Sequence, residues 1–170
     1  TLKYEDIDIG CVDPSEVRLR HTSIGLNYID IYQRTGLYPI GELPKTLGME
    51  AAGIIEDVGS NVKDFKVGDR VAYAMGLGSY CEERIWGTER LVKLPDNIDD
   101  QTAAAMLLQG MTAYYLLNRT YKVKAGDTIL IYAAAGGLGL IACQWAKYIG
   151  ATVIGCVGSE KKAEIARAHG

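Results

Sequence analysis

Along the first hundred residues, apolar and polar positions alternate in short runs that Gly, Pro and Asp interrupt. Glu16-Val17-Arg18-Leu19-Arg20-His21 alternates with a period of two, which predicts a strand. Ala52 to Gly59 predicts a second, and Gly68 to Tyr73 a turn leading into a third. Ser79 to Ile85 and Glu89 to Lys93 read as further short strands. A helix-like stretch, roughly Asn27 to Thr35, precedes the turn Gly36-Leu37-Tyr38-Pro39. Short strands at regular spacing, separated by turn residues, predict a compact β-rich domain.

The pattern changes after Pro95. Asp100 to Asn118 is rich in Ala, Leu, Met and Gln and predicts a helix, with Gly110 as a break. Thr128-Ile129-Leu130-Ile131-Tyr132 is nearly all apolar, the mark of a strand buried on both faces. Leu138 to Tyr148 predicts a helix closed by Gly150. Thr152 to Val157 predicts a second strand, and Ser159 an N-cap for a last helix. Strand, helix, strand and helix within about 40 residues make a right-handed βαβ unit and imply a parallel sheet. The fold class is therefore β followed by α/β, with the boundary near Gly110. No internal repeat is visible.

Composition fits an ordinary globular chain: 170 residues, 48% hydrophobic, 23% charged, with 20 Gly and 4 Pro. Mean hydropathy is +0.02. Collagen-like and largely disordered classes are excluded. No run of about 18 apolar residues suggests a membrane span, and the first residues have no signal-peptide layout. Cys11, Cys81, Cys143 and Cys156 lie far apart without a CxxC pair, which points to a reducing, cytoplasmic setting. The net charge of −3 hides an asymmetry. Residues 1–110 hold 11 Lys and Arg against 18 Asp and Glu, whereas residues 111–170 hold 7 against 3. The basic half is compatible with a solvated face or with an anionic cofactor. The overall sign and the lack of basic–aromatic clusters argue against nucleic acid.

The segment Ala133-Ala134-Ala135-Gly136-Gly137-Leu138-Gly139 joins the predicted strand to the predicted helix. Against G-x-G-x-x-G it aligns Ala134, Gly136 and Gly139. Small residues here let the chain turn off the strand, let a pyrophosphate approach the backbone, and let the helix pack on the sheet. Free N–H groups and the helix dipole then hold the phosphates. An NAD site places Asp or Glu at the end of the second strand, about 20 residues past the first Gly. Here the strand ends in Val157-Gly158-Ser159, with Lys161 and Lys162 behind. A hydroxyl and an ammonium suit the 2′-phosphate of NADPH. Glu160 complicates that reading, and an N-cap serine followed by solvated charges is the alternative.

At these residues the chain resembles the zeta-crystallin-like quinone oxidoreductases of the medium-chain dehydrogenase/reductase superfamily. The resemblance rests on Gly25-Leu26-Asn27-Tyr28-Ile29-Asp30, Gly36-Leu37-Tyr38-Pro39, Glu50-Ala51-Ala52-Gly53, Val67-Gly68-Asp69-Arg70-Val71 and the 133–139 segment, and covers essentially the whole chain. It implies a GroES-like β-rich catalytic domain at 1–110, incomplete as written, and the first βαβ half of a Rossmann domain at 111–170. It implies NADPH as hydride donor, a quinone or other conjugated carbonyl as acceptor, and a homodimer at full length. By the same resemblance, Asn27 and Tyr32 face nicotinamide and substrate, and Thr112 stands near the nicotinamide. Gly136, Gly137 and Leu138 form the pyrophosphate loop, and Ser159 and Lys162 receive the 2′-phosphate. Each has a plainer reading: Asn27 as a helix cap, Tyr32 as a core residue, Thr112 bonding back to a helical carbonyl.

Zinc-dependent relatives in the superfamily raise the question of a metal. Zinc asks for three or four Cys, His or carboxylate ligands, and the chain has two histidines and scattered cysteines. Where those relatives have His before Glu, this chain has Met49, and where they have Cys it has Asn27. The expectation is a zinc-independent site. His21, inside an alternating strand, is expected on a strand face rather than as a catalytic base. Hydride transfer needs position and a stabilised oxyanion rather than a nucleophile. Asn27 and Tyr32 are expected to hold the acceptor's carbonyl oxygen, with Tyr32 or a water delivering the proton. A doubly wound fold has about six strands and two are written here, so the 170 residues are expected to be an N-terminal portion, aggregation-prone alone or completed by another chain. An enoyl-thioester or other enone reductase, and a non-catalytic fragment or interaction module, are the competing functions.

Overall fold

The alternation that begins at Glu16 runs on to Gly25 as a ten-residue strand, β1 (Glu16–Gly25), in the computed structural model, which describes residues 2–170. The chain then forms helix α1 (Tyr28–Thr35) and strands β2 (Glu50–Val58), β3 (Arg70–Ala74), β4 (Glu83–Gly87) and β5 (Val92–Lys93). Helix α2 (Asp100–Tyr115), strand β6 (Thr128–Tyr132), helix α3 (Gly137–Ile149), strand β7 (Thr152–Cys156) and helix α4 (Glu160–Ala168) follow. Two units are distinguished, Thr1–Leu107 and Leu108–Gly170.

In the first unit an antiparallel sheet has the order β4-β1-β2-β3-β5. One face is built by side chains at alternate positions: Val17 and Leu19 of β1, Ala51 and Ile55 of β2, Val71 and Tyr73 of β3, with Leu91. That spacing follows from the two-residue period of a strand. The other face has alanines, Ala52 and Ala72, against Ala103 and Ala104 in the first turns of α2. Small side chains let helix backbone approach sheet closely. Asp99 caps the helix by accepting the Thr102 N–H at 2.7 Å. Asp100 accepts from the Thr22 hydroxyl (2.6 Å) and from Arg70 (2.6 and 3.0 Å), tying the helix start to β1 and β3.

Three expectations about elements need correction. The strand expected from Ser79 starts only at Glu83, because Ser79 and Tyr80 N–H groups are taken by carbonyls of Gly48 and Leu47. Glu89 to Lys93 divides into a 3-10 turn, Thr88–Arg90, and the two-residue β5. Gly110 does not break α2, which passes through it to Tyr115 and continues as a π-turn, Leu116–Thr120. An interior helical Gly costs about 1 kcal/mol, small beside the burial of Ala113 and Leu117 that follows it.

In the second unit β6 and β7 pair in parallel, from Thr128 with Thr152 to Tyr132 with Cys156. Helix α3 covers one face, where Ile129 and Ile131 meet Ala113, Ala142 and Val123. The expectation that β6 is buried on both faces is not met within this chain: Leu130 is 54% and Tyr132 76% exposed. Apolar composition marked the strand, but only one layer of helix lies against it here. Gly150 ends α3 in the left-handed conformation, φ 95°. Among the described residues no helix is long and apolar enough to cross a membrane.

Candidate functional site

Asn27 stands at the N-cap of α1 with extended backbone (φ −131°, ψ 156°). Its backbone N–H donates to the Asp30 carboxylate at 2.8 Å, the reach-back half of a capping box. Its side-chain Nδ2 donates to Glu50 Oε1 at 2.7 Å. Asn27, Asp30 and Glu50 are all buried. The Tyr80 hydroxyl donates to Asp30 Oδ2 at 2.8 Å. Burial, and then the adjoining carboxylate, raise the Tyr80 phenol above its ordinary range. Asn27, Asp30, Glu50 and the half-buried Tyr80 are thus linked in one network, with the Asn27 backbone N–H joining its two halves.

Tyr32 lies five residues further along α1 and is half-buried. Its ring stands edge-on to Tyr38 (5.4 Å between centroids) and tilted against Tyr28 (6.1 Å). The Tyr38 N–H donates to the Tyr32 carbonyl at 3.1 Å, folding the turn back on the helix. Asn27 and Tyr32 therefore share a helix but keep different company, the amide in a carboxylate network and the phenol in a tyrosine group.

The 133–139 segment of the second unit turns from β6 into α3. Ala133 adopts φ 52°, a left-handed conformation uncommon outside glycine. Gly136 N–H closes the turn on the Ala133 carbonyl at 2.8 Å. Ala134 is fully buried, and its N–H donates to the Cys156 carbonyl, crossing from one strand end to the other. A Cβ on Gly139 would lie 2.3 Å from the Ala133 oxygen, so glycine is what lets the helix start this close to the strand. Gly136 and Gly137 are exposed. The N–H groups of Gly137, Leu138 and Gly139 lie in the first turn of α3, where a helix offers donors with no carbonyl of its own. This arrangement fits a pyrophosphate.

Ser159 caps α4, its Oγ accepting the Lys162 N–H at 3.4 Å. Ser159 and Lys162 are both exposed in that first turn. Glu160, the complicating carboxylate, pairs with Arg167 at 2.9 Å further along the same helix. Thr112 Oγ1 donates to the Leu108 carbonyl at 2.7 Å, the back-bonded geometry of a helix-interior threonine.

His21 lies on β1 with Nδ1 2.7 Å from the Cys81 carbonyl and Nε2 3.0 Å from the Tyr73 hydroxyl. Burial lowers its pKa. Among the described residues, no three His, Cys, Asp or Glu side chains gather as a metal-binding group. The sequence reading passed over Glu50, Asp30 and Tyr80. Glu50 had a visible signal, a carboxylate directly before the apolar run Ala51 to Ile55; Tyr80 is brought to Asp30 only by the tertiary fold.

The model of the alcohol dehydrogenase GroES-like domain matches residues 13–127. The quinone oxidoreductase of Pseudomonas aeruginosa is 55% identical over 170 residues, covering 99% of this chain and 52% of that protein. The 2-haloacrylate reductase of a Burkholderia species is 49% identical over 173 residues, covering 98% of this chain and 52% of that protein. The solved structure of Escherichia coli quinone oxidoreductase complexed with NADPH superposes with a TM-score of 0.92 at 46% identity, over 99% of this chain and 51% of that one. The chain spans about half the length of the curated relatives it matches.

Proposed function

The chain belongs to the alcohol dehydrogenase GroES-like family, in the medium-chain dehydrogenase/reductase superfamily, and from that membership we propose that it is part of a zinc-independent reductase that passes a hydride from NADPH to a quinone or related conjugated carbonyl. The observation that carries this reading is the 133–139 turn, where glycine brings α3 onto the strand end and presents its first-turn N–H groups. The relatives named quinone oxidoreductase, one of them complexed with NADPH, support it.

In this reading residues 1–110 form the catalytic domain and 111–170 the first half of the nucleotide-binding domain. When bound, NADPH supplies the hydride. Gly136, Gly137 and Leu138 hold the pyrophosphate through backbone N–H groups, with Ala134 and Gly139 setting the turn. Ser159 and Lys162 take the 2′-phosphate by hydroxyl and ammonium. The Glu160–Arg167 pair keeps a carboxylate occupied elsewhere. Thr112 stands toward the nicotinamide end. Asn27 and Tyr32 hold the acceptor's carbonyl oxygen, and Tyr32 or a water brings the proton to it. Asn27, an amide committed to Glu50, replaces a thiolate, which is why the reading is zinc-independent. A homodimer in the cytoplasm belongs to the same proposal.

Steady-state oxidation of NADPH and NADH with a simple quinone tests it in the full-length protein. The expected result is quinone-dependent turnover with a lower KM for NADPH. Equal use of NADH, or no quinone dependence, overturns it. A conjugated acid or enone is the second reading, favoured by the 2-haloacrylate reductase relative, and a panel of acceptors separates the two.

A further inference from the structure

We propose that Glu50 is a positioning residue for Asn27, taking one Nδ2 hydrogen so that the second Nδ2 hydrogen is the one directed at the acceptor oxygen. The inference deepens the reductase reading and rests on it for the identity of what Asn27 meets.

An asparagine amide has two nearly isosteric ends, one donating and one accepting, and nothing intrinsic decides which way it faces. A carboxylate only accepts. Glu50 Oε1 at 2.7 Å from Nδ2 therefore fixes the orientation and opposes a flip of the amide. The hydrogen bond to a carboxylate is also stronger than one between neutral groups. Glu50 is 1% exposed and Asn27 6%, so water offers little competition.

The surroundings are shaped for this carboxylate. Glu50 opens β2, paired with Gly25 of β1 on one side and Ala74 of β3 on the other. A Cβ on Gly25 would lie 2.4 Å from Glu50 Cγ, 2.6 Å from Oε1 and 2.2 Å from the Ala104 carbonyl. Only a glycine leaves the acid room beside the strand. Gly25 is also two residues before Asn27, so the position that makes room leads directly into the residue being held. On the far side of the N-cap, Asp30 grips the Asn27 backbone N–H and is itself held by Tyr80. Backbone and side chain of Asn27 are thus fixed by two different carboxylates. Preorganised donors of this kind spend little on reorientation when charge develops on an oxygen.

The test uses the full-length protein with Glu50→Gln, Glu50→Asp, Asn27→Ala and the Glu50→Gln/Asn27→Ala double variant. Glu50→Gln is expected to lower kcat about tenfold, the scale of a hydrogen bond to a charged group, with KM for NADPH unchanged. Glu50→Asp, which keeps the obligate acceptor, is expected to recover part of the loss. The double variant is expected to be no slower than Asn27→Ala alone, because one interaction is removed twice. Losses that multiply, or wild-type turnover in Glu50→Gln, overturn the proposal. A readout independent of turnover is the Asn27 side-chain amide in a 15N-correlated NMR spectrum without cofactor. Its two protons are expected to be widely separated in the wild type and to draw together in Glu50→Gln at unchanged Tm; an unaltered pair overturns the proposal. If the amide responds to Glu50→Gln but no quinone or enone is reduced, the hold on Asn27 stands and the reductase reading falls.

Discussion

The Tyr73 hydroxyl lies 3.0 Å from His21 Nε2, and its oxygen also receives an Arg84 N–H at 3.0 Å. The donors run in one direction: Arg84 to Tyr73, Tyr73 to His21 Nε2, and His21 Nδ1 to the Cys81 carbonyl. That order fixes a neutral imidazole protonated on Nδ1. Burial keeps both acids in their uncharged forms, pushing the Tyr73 phenol up to about 12 and the His21 pKa down from 6.5.

Because His21 binds its extra proton less readily when folded, its contribution to stability is complete above about pH 6.5 and declines as pH falls from there toward the folded pKa. Thermal unfolding is therefore expected to show Tm dropping as pH is lowered from 7 to 5. His21→Gln, measured over the same range, should remove that slope while lowering Tm at pH 7. A slope identical in the variant assigns the pH response to other groups.

Two glycines in one turn are expected to fail in different ways. Gly139→Ala sets a Cβ against backbone oxygens at 2.3 and 2.7 Å, and overpacking of this kind costs about 1–3 kcal/mol. Gly136→Ala meets the Ala133 oxygen at 3.1 Å and the Ala133 Cβ at 4.0 Å, and is expected to leave Tm within about 2 °C. Its added methyl should instead raise KM for NADPH by obstructing the phosphate. Urea melts and KM values for both variants check the contrast, which fails if Gly136→Ala binds NADPH normally.

Tyr32→Phe keeps the ring contacts with Tyr28 and Tyr38 and removes only the hydroxyl. If that hydroxyl delivers the proton, kcat with a quinone is expected to fall about 100-fold, with KM for NADPH and Tm unchanged. Unchanged turnover would give the proton step to water.

Lys162→Ala removes an exposed ammonium from the first turn of α4. The expected outcome is a rise of about tenfold in KM for NADPH, the scale of a charge-assisted hydrogen bond, with KM for NADH unaffected. Ser159→Ala should add a fold penalty of about 1 kcal/mol through the lost N-cap. Equal effects on both cofactors would place the 2′-phosphate elsewhere.

The second unit was legible because its signals are local. The apolar run Thr128–Tyr132, the glycines after it, the cap at Ser159 and the stop at Gly150 each act within a few residues, and each element came out within a residue or so of its expected place. In the first unit the period-two runs located strands, but their ends were set by partners distant in sequence. Ser79 looked like the start of a strand and instead gives its N–H to Gly48. Gly110 looked like a break, yet the helix continues through it. Asn27 was recognisable as a residue of interest, whereas the contact that orients it spans 23 positions and had no local signature.

The two tryptophans fall one in each unit. Trp86 lies under the Arg84 guanidinium (3.8 Å) and against Tyr73, while Trp145 packs beside Tyr114. Each unit thus holds its own intrinsic fluorophore in a distinct electrostatic setting. With either one replaced by Phe, the emission of the other reports on a single unit, and the order in which the two lose structure can be read optically without any added label.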